Sequence, residues 1–265
     1  MSKTIVVTGG STGIGAAVVQ RLHTAGCAVH VFDVVAPQRD DVRFTHCDLG
    51  SVTSIDGAVA ALPGAIDVLI NVAGVAAMQP PEHTVAINFL GLRHLTEQLL
   101  TQTRPGGSVI NVASSAARDW RTREAHIRAL LNTNSFADGI AWLSAHRETW
   151  IDNPYKFSKQ CTAAYTYTAA GVGIARGVRV NCVNPGSTET QLTPAFRELV
   201  GPGLYDWGVA QIGRHGTPDD IAEVIEFLAI GQCRWLNGVE ILVDGGYVAG
   251  TIGGWINTDE APRTA

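Results

Sequence analysis

The chain has 265 residues, of which 46% are hydrophobic and 16% are charged. This length and composition suit one large domain with a sizeable core, and they exclude a chain that is disordered by composition. The formal net charge of −5 argues against nucleic-acid binding, because a phosphate backbone is bound by a basic protein face. No apolar run is long enough to cross a bilayer, so we expect no membrane partner.

The cysteines predict a reducing compartment. There are five, an odd number, widely spaced and without a Cys-x-x-Cys pair, at positions 27, 47, 161, 182 and 233. We therefore expect free thiols, mostly packed in the core of a cytoplasmic protein. The first three residues lead directly into an apolar segment, which argues against a signal peptide. Neither the cysteines nor the scattered histidines have zinc-ligand spacing, so we expect no metal.

In chain order, short apolar runs rich in β-branched residues alternate with helical patterns. The predicted strands are 5–8, 28–33, 42–47, 67–71, 108–113, 178–183 and 239–243. The predicted helices are 13–25, 52–61, 84–102, 155–170 and 218–229. Most of the strands are apolar on both faces, as parallel strands covered by helices are. The pattern predicts one α/β domain over residues 1–265, a three-layer Rossmann fold with a parallel sheet of about seven strands and helices on both faces.

A glycine-rich turn follows the first predicted strand and precedes the first helix. Its residues are Gly9, Gly10, Ser11, Thr12, Gly13, Ile14 and Gly15. Glycines let the backbone approach a pyrophosphate, and a helix N-terminus offers free N–H groups and a positive dipole end. The position of the turn predicts nucleotide binding, the alternative being a tight strand–helix turn without a ligand.

Asp33 ends the second predicted strand, 18 residues after Gly15. A carboxylate at this separation can accept hydrogen bonds from the ribose hydroxyls of a dinucleotide and repels a 2′-phosphate. The glycine-rich turn contains no arginine or lysine that would attract such a phosphate. The sequence therefore favours NAD over NADP, although an acid at a strand end is also compatible with simple solvation.

Tyr155 and Lys159 stand four positions apart and therefore share one face of a helix. Tyr155 can exchange a proton with an alcohol or a carbonyl, but an ordinary phenol pKa near 10 is too high for a base at neutral pH. A neighbouring ammonium is expected to lower that pKa. A Tyr-x-x-x-Lys pair alone is common on helix surfaces, and its interpretation here depends on the glycine-rich turn and Asp33.

With these features the chain resembles the short-chain dehydrogenase/reductase family over nearly its whole length. The resemblance implies a catalytic serine at Ser114, after the fifth strand, and a proton-relay asparagine at Asn88. Strand alternation is expected to turn the adjacent Ser115 away from the site. The other cofactor positions that the resemblance implies are Asp48 and Leu49, Asn71, Ala73 and Gly74, Tyr155 and Lys159, Pro185 and Gly186, and Thr188 and Thr190.

Ser114 and Tyr155 stand 41 positions apart, much farther than in most members of that family. The extra segment, about 118–152, has helical apolar spacing. Such an insertion resembles the bacterial 3α-hydroxysteroid dehydrogenase/carbonyl reductases and the coniferyl alcohol dehydrogenases. There it covers helices that other members use for dimer contacts, which implies a homodimer through another surface.

Two hypotheses about function follow. The first is an NAD-dependent enzyme that interconverts a hydrophobic secondary, allylic or aromatic alcohol with its ketone or aldehyde. The second is a catalytically silent dinucleotide-binding regulatory protein on the same fold, since fold alone does not define function. Aromatic residues of the insertion and of the segment after Gly186 are candidates to line the substrate site, and we expect two or three to do so: Trp120, Trp142, Trp150, Phe196, Tyr205 and Trp207.

Overall fold

The computed structural model describes residues 2–262. Its centre is a seven-stranded parallel sheet in the order β3-β2-β1-β4-β5-β6-β7. The strands are β1 Thr4–Thr8, β2 Ala28–Asp33, β3 Arg43–His46, β4 Ile66–Asn71, β5 Thr103–Val112, β6 Arg179–Pro185 and β7 Glu240–Val243. This confirms the predicted Rossmann-type architecture and strand count.

Helices cover both faces of the sheet. They are α1 Gly13–Thr24, α2 Val52–Ala60, α3 Glu82–Val85, α4 Leu92–Gln102, α5 Glu124–Leu131, α6 Phe136–Ala145, α7 Pro154–Ile174, α8 Thr193–Val200, α9 Pro202–Ile212, α10 Pro218–Ile230 and α11 Tyr247–Gly253. Within residues 2–262, no helix has the length and apolarity required to cross a bilayer.

The core forms two layers because alternate strand residues point to opposite faces of the sheet. Val6 and Leu69 contribute to the layer that contains α4 and α7, whereas Val7 and Ile70 contribute to the layer beneath α1 and α10. All five cysteines are free thiols and four are buried, with Cys27 partly exposed, as the sequence predicted.

The helix predicted over 84–102 is divided in the structure. A short α3 leads into a π-helical turn, Ala86–Gly91, and α4 begins only after it. A Cβ at Gly91 would lie 2.0 Å from the carbonyl oxygen of Leu49, so only glycine permits this approach. Wide π turns inside helices are frequent at functional sites, and this one contains Asn88.

The segment between β5 and Tyr155 is helical, as predicted. It contains α5, α6 and short 3₁₀ turns, and it packs against α3, the π turn and α7. Trp150 is fully buried and Trp120 is 5% exposed, so both belong to the core rather than to an open surface. α7 begins at Pro154 after Asn153, whose side chain accepts a hydrogen bond from the Lys156 N–H, and it runs four residues past its predicted end.

Two regions without predicted elements contain helices. After β6, α8 and α9 form a hairpin in which no residue is fully buried. The C-terminal tail, about residues 250–265, begins within α11 and then buries Ile256. The positions of this tail beyond residue 262 lie outside the described residues.

Candidate active site

A cleft of about 870 Å³ opens at the carboxyl ends of the strands. β1 lies between β2 and β4, so the chain reverses its winding direction at this strand. Ligands of open α/β sheets bind at such a switch point. The glycine-rich turn after β1, the ends of β2 to β6, and the α8–α9 hairpin all contribute to the walls.

The glycine-rich turn is closely packed. A Cβ at Gly15 would lie 1.9 Å from the carbonyl oxygen of Gly9, and a Cβ at Gly9 would lie 2.7 Å from the Cα of Ala73. Gly9 and Gly13 also have positive φ angles of 65° and 53°. This turn therefore requires glycine, and it presents its backbone to the cleft together with Thr12 and Ile14.

Ser11 is not among the residues that line the cleft. Its hydroxyl donates to the Val35 carbonyl at 2.5 Å, and its N–H donates to Oδ2 of Asp33 at 3.0 Å. These bonds attach the glycine-rich turn to the end of β2. The residue thus positions the turn, and its role as a cofactor contact stays a prediction.

Asp33 lies at the wall of the cleft, at the end of β2. Its Oδ1 accepts hydrogen bonds from the N–H groups of Val34 and Val35, at 2.7 and 3.3 Å. Asp48 and Leu49 line the same end of the cleft. The cleft wall there contains no arginine or lysine within the described residues.

Three cofactor contacts were predicted around the end of β4, and only two of these residues line the cleft. Ala73 and Gly74 line the cleft, but Asn71 does not. The Asn71 side chain is 1% exposed and donates to Thr96 Oγ1 and to Asn111 Oδ1, both at 2.9 Å. Asn71 is the last residue of β4 and its side chain points to the α4 side of the sheet, so it supports the site from within the core.

Ser114 lines the cleft two residues after β5, and its Oγ accepts a hydrogen bond from the Ala116 N–H at 3.2 Å. Ser115 lines the cleft as well, so the expectation that it points away is wrong. β5 ends at Val112 and residues 115–117 form a 3₁₀ turn, so strand alternation no longer governs these side chains.

Tyr155 and Lys159 both line this cleft from the first turns of α7. The Lys159 Nζ lies 5.9 Å from the centre of the Tyr155 ring. It donates to the carbonyl oxygen of Val112 at 2.9 Å, and the lysine is 5% exposed. The tyrosine, the lysine and Ser114 are thus brought to the same wall, where β5 meets α7.

The pKa values differ from the expectation that the lysine lowers the pKa of the phenol. Burial raises the pKa of Tyr155 to about 12, while the neighbouring Ser114 hydroxyl acts in the opposite direction. Burial lowers the pKa of Lys159 to about 8. Desolvation opposes the charged form of both groups and is the largest cause of both shifts.

Asn88 lies beside the site but does not line the cleft. Its Oδ1 accepts from the Val75 N–H at 2.8 Å, and its Nδ2 donates to the Val75 carbonyl at 2.9 Å and to Ser158 Oγ at 3.1 Å. Asn88 Oδ1 and Lys159 Nζ both lie next to Gly74: they are 3.2 and 3.3 Å from the position that a Cβ would take there. The side chain fixes the loop after β4, and the relay role stays a prediction.

The wall opposite α7 begins at the end of β6. Pro185 and Gly186 line the cleft, followed by Thr188 and Thr190. Of the six predicted aromatic candidates, Phe196 and Tyr205 line it, and the tryptophans do not. The rings of Phe196 and Tyr155 meet edge to face with centroids 4.9 Å apart, so the α8–α9 hairpin contacts the tyrosine directly.

The structure adds a polar cluster that sequence reasoning missed. Ser187 Oγ donates to Tyr205 Oη at 2.7 Å and lies 3.0 Å from His215 Nδ1. The cluster connects α9 to the end of β6 and to the turn before α10. No spacing in the sequence indicates it, because its members come from three separate segments.

The structure shows no group of three or more histidine, cysteine or acidic residues within 2–262 arranged to hold a metal ion. Ser114, Tyr155 and Lys159 at one end of a cleft, with a glycine-rich strand–helix turn at the other, define a dehydrogenase of the short-chain class. Residues 3–126 match the sequence profile described as short chain dehydrogenase, and residues 120–248 match the one described as Enoyl-(Acyl carrier protein) reductase.

The chain belongs to the short-chain dehydrogenase/reductase family of oxidoreductases. It is 34% identical to the coniferyl-alcohol dehydrogenase of Pseudomonas sp. (strain HR199 / DSM 7063), over 92% of this chain and 96% of that protein. It is 31% identical to the cis-4-hydroxycyclohexanecarboxylate dehydrogenase of Sinomonas cyclohexanicum, with the same coverage of both chains. The crystal structure of 3-alpha-hydroxysteroid dehydrogenase from Pseudomonas sp. B-0831 complexed with NADH has a TM-score of 0.78 and 28% identity, covering 96% of this chain and 100% of that one.

Proposed function

We propose that this protein is an NAD-dependent dehydrogenase that interconverts a hydrophobic secondary, allylic or aromatic alcohol with its ketone or aldehyde. The observation that carries the proposal is the shared cleft. The glycine-rich turn and Asp33 lie at one end, and Ser114, Tyr155 and Lys159 lie at the other. A dinucleotide that spans this cleft would have its reactive ring beside the tyrosine.

The residues present fit NAD. Gly9, Gly13 and Gly15 leave the space that side chains would fill, and the start of α1 offers N–H groups to a pyrophosphate. Asp33 would accept from the ribose hydroxyls, and without a neighbouring cation it disfavours the 2′-phosphate of NADP. Asp48 and Leu49 would contact the adenine, and the remaining contacts come from Ala73, Gly74, Pro185, Gly186, Thr188 and Thr190.

Bound NAD⁺ supplies the acceptor for the hydride of the alcohol. Tyr155 takes up the hydroxyl proton at its Oη in oxidation and returns it in reduction. Ser114 donates a hydrogen bond to the substrate oxygen as negative charge develops there. A protonated Lys159 stabilises the phenolate. Phe196 packs edge to face against the tyrosine ring.

One wall of the substrate side of the cleft is apolar. The α8–α9 hairpin faces it with aliphatic and aromatic side chains, including Leu192, Phe196, Val200, Leu204 and Val209. The three similar proteins named above carry ring-bearing alcohols in their names: a coniferyl alcohol, a hydroxycyclohexane and a hydroxysteroid. A ring-bearing alcohol therefore suits this site.

Tyr155→Phe tests the assignment directly. A panel of ring-bearing alcohols with NAD⁺ and with NADP⁺, read by absorbance of the reduced cofactor, identifies a turned-over alcohol. We expect NAD⁺ to be preferred, and the variant to lose turnover by roughly 10³-fold, because removing a general acid–base group costs 10² to 10⁴. Binding of NADH, followed by its fluorescence, is expected to change little.

Tyr167→Phe is the matched control. Tyr167 lies farther along α7, 40% exposed, and its hydroxyl donates to Glu240 outside the cleft. Turnover should stay near that of the wild type in this variant. Near-normal turnover in Tyr155→Phe would overturn the assignment of the tyrosine.

A further inference from the structure

The charges that line the cleft are distributed unevenly. Among the described residues, its only carboxylates are Asp33 and Asp48, at the ends of β2 and β3. The wall around Ser114 and Tyr155 has Arg118, His83 and Lys159 instead. Although the chain has a net charge of −5, the substrate end of its cleft therefore has basic residues and no acid.

The two ends are too far apart to neutralise each other. β5 lies three strands from β2 and four from β3. At a strand spacing near 4.8 Å, the end of β5 stands about 14 Å from that of β2 and about 19 Å from that of β3 across the sheet. Both separations exceed the screening length of about 8 Å at physiological ionic strength.

The Arg118 guanidinium has no carboxylate partner among the described residues. Its side chain is exposed, and its Nη1 donates to the Ser115 carbonyl at 3.3 Å. The adjacent carboxylate, Asp119, is already bound by Lys156 Nζ at 2.7 Å and by Gln160 Nε2 at 2.8 Å. Most of the five N–H donors of Arg118 are thus free for a ligand.

The position of Arg118 relative to the reacting centre is fixed by a short turn. Residues 115–117 form a single 3₁₀ turn that starts at Ser114, ends at Arg118 and buries Ala117. With a rise of about 2 Å per residue, Arg118 stands about 8 Å from Ser114 along the turn. A ring that carries a carbinol on one side and a charged group on the other spans a comparable length.

We propose that Arg118 is a specificity-determining residue that binds a carboxylate on the substrate, so that this enzyme acts on ring-bearing hydroxy acids. The inference rests on the proposed function and names the substrate class of the same site. The guanidinium binds a carboxylate with two parallel hydrogen bonds, an arrangement that lysine does not reproduce. His83 on α3 lines the same cleft and offers a further donor.

The test compares para-(1-hydroxyethyl)benzoate with its methyl ester as substrates of the wild type and of Arg118→Gln. We expect the wild type to prefer the acid in kcat/KM. The variant should lose about 10- to 100-fold on the acid, as for a charge-assisted bond, and less than about twofold on the ester. Arg118→Lys should recover only part of the preference. Arg176→Gln, which changes an exposed arginine past the end of α7, should behave as the wild type.

A binding measurement separates this inference from the proposed function. Calorimetry with para-acetylbenzoate and its methyl ester, in the presence of NAD⁺, requires no turnover. Tighter binding of the acid that is lost in Arg118→Gln supports the carboxylate site even if neither alcohol is oxidised, which would count against the proposed function alone. Equal affinity of the wild type for acid and ester, or equal losses on both in the variant, would overturn the carboxylate site.

Discussion

Lys159 shows how burial sets the chemistry of a single residue. Its amine is 5% exposed and has the Val112 carbonyl as its hydrogen-bond acceptor, which binds the ammonium but does not balance its charge. Burial accordingly lowers its pKa from 10.5 to about 8. Near neutral pH the protein therefore holds a charge whose burial costs stability, and this cost disappears when the amine loses its proton.

Lys159→Met tests this cost through the pH dependence of folding. Between pH 8 and pH 10.5 the unfolded chain binds a proton that the folded protein does not, so stability rises with pH in that window. We expect the wild type to gain about 2 kcal/mol in the free energy of unfolding, relative to the variant, from pH 7 to pH 9.5. Urea unfolding at the two pH values measures the difference.

Tyr155→Phe is the control for this measurement. In the wild type the pKa of the Tyr155 phenol is raised to about 12 in the folded protein. Removing this phenol should therefore leave the pH dependence of stability below pH 9.5 as it is in the wild type. A constant difference between the wild type and Lys159→Met across the window would show that the amine is not desolvated as described.

At the scale of elements, the inserted segment is held by one buried cation. Arg93 on α4 is 2% exposed and donates to the Leu130 carbonyl at 3.1 Å, to Thr133 Oγ1 at 3.0 Å and to the Ser135 carbonyl at 3.0 Å. These acceptors lie at the end of α5 and immediately before α6. The arginine thereby joins the end of α5 to the start of α6 through one charged donor group.

Arg93→Met should loosen this attachment. Removing the guanidinium removes charged hydrogen bonds to the Leu130 carbonyl, Thr133 Oγ1 and the Ser135 carbonyl, and hydrogen bonds to charged groups contribute about 1.5 to 3 kcal/mol each. We expect a loss of about 3 kcal/mol in the free energy of unfolding by urea. Hydrogen exchange should increase more in α5 and α6 than in β4.

Arg128→Met provides the comparison within the same segment. Arg128 is exposed and pairs with Glu124 one helical turn away, a type of ion pair worth about 0.5 kcal/mol or less. Equal losses in the two variants would mean that the buried contacts of Arg93 are not what holds the inserted segment.

For the whole molecule, the inserted segment determines which surface remains for a second copy. It packs against the π turn and α7, and it is bound by Arg93 on α4, so it occupies surface on α4 and α7 within one chain. We expect a homodimer formed elsewhere, with a mass twice the 28.0 kDa of the chain in sedimentation equilibrium. A tetramer with α4 and α7 at an interface would contradict this expectation.

The local chemistry of the chain was sufficient to predict much of the fold. Apolar periodicity predicted the strands and the helix that contains Tyr155, which begins in the structure after the cap residue Asn153. The resemblance to the short-chain dehydrogenase/reductase family indicated Ser114, Tyr155 and Lys159 as one site, and the structure brings all three to the same cleft. The π turn at Ala86–Gly91 and the α8–α9 hairpin were not predicted, since both depend on packing against distant segments.

The sequence by itself determined the succession of strands and helices along the chain, the glycine-rich turn and the residue types of the site, because each depends on neighbours within a few positions. Only the tertiary structure decided that Ser11 and Asn71 face away from the cleft and that Ser115 faces it. It alone also decided the pKa directions of Tyr155 and Lys159 and the isolation of Arg118 from carboxylates. Side-chain direction, desolvation and charge separation depend on which segments the folded chain brings together, and spacing along the sequence does not encode them directly.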